Sequence, residues 1–255
     1  MLVSSLVAAV GVPTITPPED FTTNILMFVR LVHFLAGITW IGLLYFFNLV
    51  SVPFMAEADA VTRGKVVSLL MPRALWWFRW ASVVTVAAGL WYWMTIVASD
   101  RRNAMLPSAG NAIWSFFVLW TLVFLIYMAV LMIPKEALHK GPVIGVITAL
   151  LLAGAAYGYL AINSQGWESN RLLCIGIGGG LGWFMMFNVW GIVWRFQKKL
   201  IRWTEKNAAD GTPMPPQAAR MARMVLLASR INAVLTIPML FFMGAASHYP
   251  MFGNM

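Results

Sequence analysis

Apolar and polar residues fall along this chain in long blocks. Six extended apolar runs are separated by short polar segments. Each run reaches the ~20 residues that a helix needs to cross a hydrocarbon core. A barrel strand would instead alternate apolar and polar positions over ~10 residues. In lipid every backbone polar group must bond within the protein, and a helix does so within its own segment. The pattern predicts an all-α integral membrane protein, a polytopic bundle of about six transmembrane helices in a single domain spanning residues 1–255. The predicted spans are 24–52, 75–98, 111–133, 142–163, 171–196 and 222–246.

A shorter apolar run, Leu2 to Val12, precedes Pro13, Pro17 and Pro18. It is too short to cross a bilayer and lacks the basic n-region of a signal peptide. Residues 1–20 are expected to form a periplasmic or interfacial arm.

Charge orients the spans. Basic residues collect after the first span (Arg63, Lys65, Arg73), after the third (Lys135, Lys140) and most of all after the fifth. There Arg195, Lys198, Lys199, Arg202, Lys206, Arg220 and Arg223 face only Glu205 and Asp210. The alternate segments are nearly neutral. Basic loops mark the cytoplasmic side, so residues 197–221 are expected as a basic cytoplasmic loop and both termini as periplasmic. The expected location is a bacterial inner membrane.

Composition agrees with this class. The chain is 60% hydrophobic and 11% charged, against ~25% charged in soluble domains. A net charge of +9 would suit nucleic acid, but the excess is confined to short loops where topology explains it. The expected partner is the lipid bilayer, with added attraction to anionic headgroups. Cys174 is the only cysteine, and neither CxxCH nor HExxH occurs. Covalent c-type haem and a zincin-type site are therefore not expected. Gly176, Gly178, Gly179, Gly180 and Gly182 lie inside the fifth span and form GxxxG pairs, which predict close helix packing rather than a nucleotide loop.

Two histidines carry the candidate chemistry. His33 sits inside the first apolar run, where an ionisable side chain is costly and usually serves an ion, a proton or a metal. Imidazole is a common haem ligand. Arg30 and Gly37 share its helical face and Trp40 flanks it. A small residue one turn away would suit a planar macrocycle, and Arg30 would suit a propionate. The same spacing equally fits a histidine bonded to a neighbouring helix beside an arginine that reaches the headgroups. His248 ends the last run in the string GAASHYP, near the outer surface and several ångströms shallower than His33. Pairing both on one haem iron requires the last helix to tilt or reach inward. His139 is given no role. Asn48, Arg79, Asn188, Arg230 and Asn232 are expected to lock helix ends, with Arg79 and Arg230 needing partners.

The stretches VHFLAGITWIG, MPRALWWFRW, NVWGIVWRFQKK and ASRINAVLTIPMLFFMGAASHYP resemble the membrane part of bacterial membrane-bound urate oxidases. The resemblance runs from about Phe21 to Phe252. It implies a multi-helix membrane domain that works with a periplasmic cytochrome c domain, and the sequence ends where that domain would begin. The family pattern has histidine where this chain has Trp76 and Ile231, leaving His33 and His248. Two readings stay open. One is a redox protein with a non-covalent b-type haem on His33 and His248, lined by Arg30, Gly37 and Trp40, passing electrons toward a periplasmic cytochrome c-type acceptor. The other is a cofactor-free accessory subunit of a larger respiratory or oxygenase complex.

Overall fold

The computed structural model describes residues 16–107 and 110–252. Among them the chain is helical throughout, without strands, and six helices are long and apolar enough to cross a membrane. They are α1 (Phe21–Glu57), α2 (Ala60–Asn103), α3 (Gly110–Met132), α4 (Gly141–Ile162), α5 (Asn170–Asp210) and α6 (Ala218–His248). Residues 1–15 of the expected N-terminal arm lie outside the described residues.

Local chemistry sets the helix starts. The Asp20 carboxylate accepts the Thr23 N–H at 2.7 Å and caps α1. That bond holds its carboxyl below the ordinary range. Asp59 caps α2 through the N–H groups of Val61 and Thr62, and the Thr62 contacts lower its pKa in the same way. Ser169 caps α5 on the Leu172 N–H. Pro142 opens α4 in the first turn, where its missing N–H costs nothing.

An even number of spans places both ends of the described chain on one face, with the α2–α3 and α4–α5 connections. The basic residues collect on the opposite face.

Helix α5 is the most deeply buried span and α1 the most exposed to lipid. The glycine run explains why α5 can be central. A Cβ on Gly176 would overlap the Tyr159 ring of α4, and one on Gly180 would overlap the Trp120 indole of α3. On the other side, a Cβ on Gly178 would lie 3.1 Å from the Met239 carbonyl oxygen of α6. The expected packing role holds at these positions; Gly182 faces open space.

Helices α1, α2 and α5 run well past the membrane thickness, and each contains a π turn: Phe46–Ser51, Val66–Leu70 and Val189–Trp194. Beyond its π turn α5 continues as the amphipathic segment Arg195–Asp210. Much of the segment expected as a loop is therefore helix. Its basic residues lie on one side while Phe196 and Ile201 are buried, and that burial makes the segment worth folding. Gly211, with φ +73°, ends it in the left-handed conformation that glycine adopts without strain.

Candidate functional site around His33

Helices α1 and α2 pack antiparallel along a narrow seam. Gly37 faces Thr85, His33 faces Gly89, and Arg30 bonds Tyr92. Toward the termini face the contacts therefore step outward by about one turn on each helix.

His33 is half-buried in this seam. Its Nδ1 lies 2.7 Å from the Thr85 carbonyl oxygen. A carbonyl only accepts, so Nδ1 carries the proton and donates. In the neutral ring Nε2 is then the lone-pair nitrogen, and it has no hydrogen-bond partner among the described residues. An imidazole held by Nδ1–H on a backbone carbonyl, with Nε2 free, is the usual arrangement of a metal-ligating histidine. The same bond also suits a histidine that simply ties two helices.

The remaining sequence-based candidates divide. Arg30 donates to the Tyr92 hydroxyl, and its guanidinium stacks 4.7 Å from that ring centroid. Gly37 faces α2: a Cβ there would sit 3.6 Å from Thr85 Cγ2, an ordinary contact distance. Trp40 is 1% exposed, in the core, with its indole N–H unpartnered. Thr85, Gly89 and Tyr92 were not singled out from the sequence. Their spacing of four and three residues along α2 mirrors that of Arg30, His33 and Gly37, but only the observed register pairs the two faces.

His248 is exposed at the end of α6, and its side chain makes no hydrogen bond. Among the described residues no hydrogen bond or ring contact joins it to His33. Asn170 of α5 holds this end of the chain by donating to the carbonyls of Ala245 and Tyr249 and accepting the N–H groups of Met251 and Phe252. The two histidines lie at similar distances along their own helices from one shared contact. Tyr45 of α1 meets Thr236 of α6 at 2.6 Å. His33 lies twelve residues outward of Tyr45, and His248 twelve outward of Thr236. Each is about 18 Å from that contact along its own helix.

The other polar residues lock helices in the basic half. Asn188 donates to Asn232 Oδ1 at 2.8 Å, and Asn232 donates to the Met185 carbonyl at 3.0 Å. Asn48 donates to Ser229 Oγ. Arg79 finds aromatic partners: its guanidinium carbon is 3.8 Å from the Trp194 ring centroid and 5.7 Å from that of Trp190. Arg230 is exposed. No group of three or more His, Cys, Asp or Glu among the described residues could hold a metal ion. A site here rests on one imidazole.

The urate oxidase N-terminal family model matches residues 60–254. The chain belongs to the urate oxidase N-terminal family. No curated protein and no solved structure matches the chain. The urate oxidase N-terminal match covers α2 through α6, including Thr85, Gly89, Tyr92 and His248. His33 and Arg30, on α1, lie before it.

Proposed function

We propose that this chain is the membrane part of an electron-transferring oxidoreductase and that His33 holds a non-covalent b-type haem. Membership of the urate oxidase N-terminal family supports an oxidoreductase context. The carrying observation is the His33 ring, fixed through Nδ1–H on Thr85 with Nε2 unpartnered at membrane depth. When bound, the haem would supply one-electron chemistry. The chain's own contribution is to orient the imidazole and fix its tautomer. The Gly89 backbone closes the Nδ1 edge of the ring, so a ligand reaches it from the Nε2 edge. Arg30, one turn outward, places positive charge on the same side of α1. His248 is the candidate second ligand, a role that requires movement of the α6 end.

Within this reading the basic face is cytoplasmic, the membrane is a bacterial inner membrane, both termini are periplasmic, and electrons pass to a periplasmic cytochrome c-type acceptor. The basic segment Arg195–Asp210 supports that orientation. A reporter fused between Gly211 and Gln217 should signal cytoplasm; a periplasmic signal would reverse it.

The deciding experiment is a visible spectrum of the purified protein. A Soret band that extracts into acidic acetone and is lost in His33→Ala supports the proposal. A full, unshifted band in that variant removes His33 as a ligand. A protein with no band supports the second reading, a cofactor-free subunit of a larger membrane complex. That alternative draws on Arg30 already being engaged by Tyr92.

A further inference from the structure

A cavity of about 490 Å³ opens at the α4–α5 connection, on the termini face. Asn163, Glu168, Leu173 and Phe252 line it. It shares no residue with the His33 seam. Gly166, with φ +89°, turns the chain so that Glu168 comes back against the end of α4.

Two of the lining residues, Asn163 and Glu168, carry buried acceptors without partners. Asn163 is 1% exposed. Its Nδ2 donates to Ser115 Oγ at 2.9 Å and to the Tyr159 carbonyl at 2.8 Å. Because that carbonyl can only accept, the amide orientation is settled, and Oδ1 is the unserved atom. Glu168 is 6% exposed. Its Oε2 accepts the Gln165 N–H at 3.0 Å, and its Oε1 has no partner. No basic side chain pairs with Glu168 among the described residues. The fully buried Tyr159 hydroxyl is also unpartnered.

A buried acceptor left unserved is costly, and a carboxylate more so. Asn163 and Glu168 both present acceptors, so an occupant must bring donors. Opposite a carboxylate it gains by bringing positive charge as well. Phe252 adds an aromatic ring to the lining, and the face of such a ring attracts organic cations. A hard divalent ion is poorly matched, because it seeks six or more oxygens and the lining supplies one carboxylate. We propose that this cavity binds a small N–H-bearing cation, an ammonium or guanidinium group.

The test uses the full chain in phosphatidylcholine nanodiscs, followed by calorimetry. The probes are guanidinium chloride and methylammonium chloride at low millimolar concentration. Tetramethylammonium chloride, which carries no N–H, keeps the ionic strength constant. We expect saturable binding of an N–H probe that weakens about ten- to hundredfold in Glu168→Gln, the loss of one charge-assisted hydrogen bond. N-acetyl-argininamide separates the sources. Tighter binding than guanidinium points to a side chain of a partner protein, and weaker binding to a free small cation; both retain the site. No saturable response, an equal response to tetramethylammonium, or unchanged affinity in folded Glu168→Gln overturns it. If Glu168→Gln does not fold, Phe252→Leu at the rim replaces it. Affinity should then fall about threefold with the aromatic face gone, and an unchanged value overturns the assignment.

Discussion

The Nδ1–H of His33 on α1 donates to the carbonyl oxygen of Thr85 on α2 at 2.7 Å. That carbonyl is also one helical turn below Gly89, whose N–H is its regular intrahelical donor. A side chain at position 89 would cover the carbonyl from the direction the imidazole takes. Glycine leaves it open, so the bond between helices depends on a missing side chain as much as on the histidine.

Gly89→Ala should therefore act on the ring before it acts on the fold. The new Cβ would lie 2.9 Å from His33 Cε1 and 3.0 Å from Nδ1, closer than real contacts allow. The ring is the end of a side chain and can swing away. Alanine also favours the helix by up to ~1 kcal/mol, so thermal stability should change by no more than about that amount. The bond to Thr85 should break, and haem content per protein should fall with a shifted Soret maximum. Wild-type haem content and spectrum in this variant would argue against His33 as the ligand.

Carbon monoxide reports on His248. If its imidazole is the second axial ligand, the reduced wild-type protein is six-coordinate and binds carbon monoxide poorly, and His248→Ala opens the position. A rise in carbon monoxide binding with a change of spin state is the expected result. His248 is exposed in the structure and its side chain makes no hydrogen bond, so the substitution should leave the melting temperature unchanged. Equal binding in the two proteins would leave His248 as a solvated helix end.

Much of this architecture could be read from residue order. Continuous apolar runs fixed the number of spans, because lipid leaves the backbone few alternatives. The glycine spacing in α5 signalled close packing, and Gly176 and Gly180 do face aromatic rings. The span ends were less legible. A hydrophobicity pattern stops at the headgroups, whereas α5 continues to Asp210 because Phe196 and Ile201 find partners. The His33 surroundings were half legible. Arg30, His33 and Gly37 share a face by geometry alone, but the residues opposite depend on the register of α2. The pocket at Glu168 gave no signal, since an acidic residue in a short polar connection reads as solvated.

Gly180→Ala tests the central position of α5. The new Cβ would fall within the Trp120 indole, a fully buried side chain of α3. Overpacking of this kind typically destabilises by about 1–3 kcal/mol. Thermal unfolding in detergent should show a clear drop. Gly182→Ala is the matched control, because that position faces open space, and it should be neutral or slightly stabilising. Equal behaviour of the two variants would contradict the packing described for α5.

The Asp59 cap predicts a pH dependence. Its carboxyl is held below its ordinary value of 3.8, chiefly by the Thr62 hydroxyl and N–H. A carboxylate with a lowered folded pKa stabilises the folded state fully above its unfolded value and loses that contribution as pH falls through the folded value. The melting-temperature gap between wild type and Asp59→Ala should stay constant from neutral pH down to about that ordinary value. Below it the gap should shrink. A gap that persists unchanged in stronger acid would mean that the capping charge is not what holds this turn.

The π turn at Val189–Trp194 bears on how this chain can vary over evolutionary time. A π turn is an α-helix that has taken in one extra residue. One residue lost from an ordinary turn rotates everything beyond it by about 100°. Such a deletion elsewhere in α5 would swing Phe196 and Ile201 off their neighbours or turn the glycines from Tyr159 and Trp120. A deletion inside the π turn would only relax it to α geometry and leave both faces aimed as they are. Insertions and deletions among relatives should therefore collect at Phe46–Ser51, Val66–Leu70 and Val189–Trp194, where the helices can change length without changing what they face.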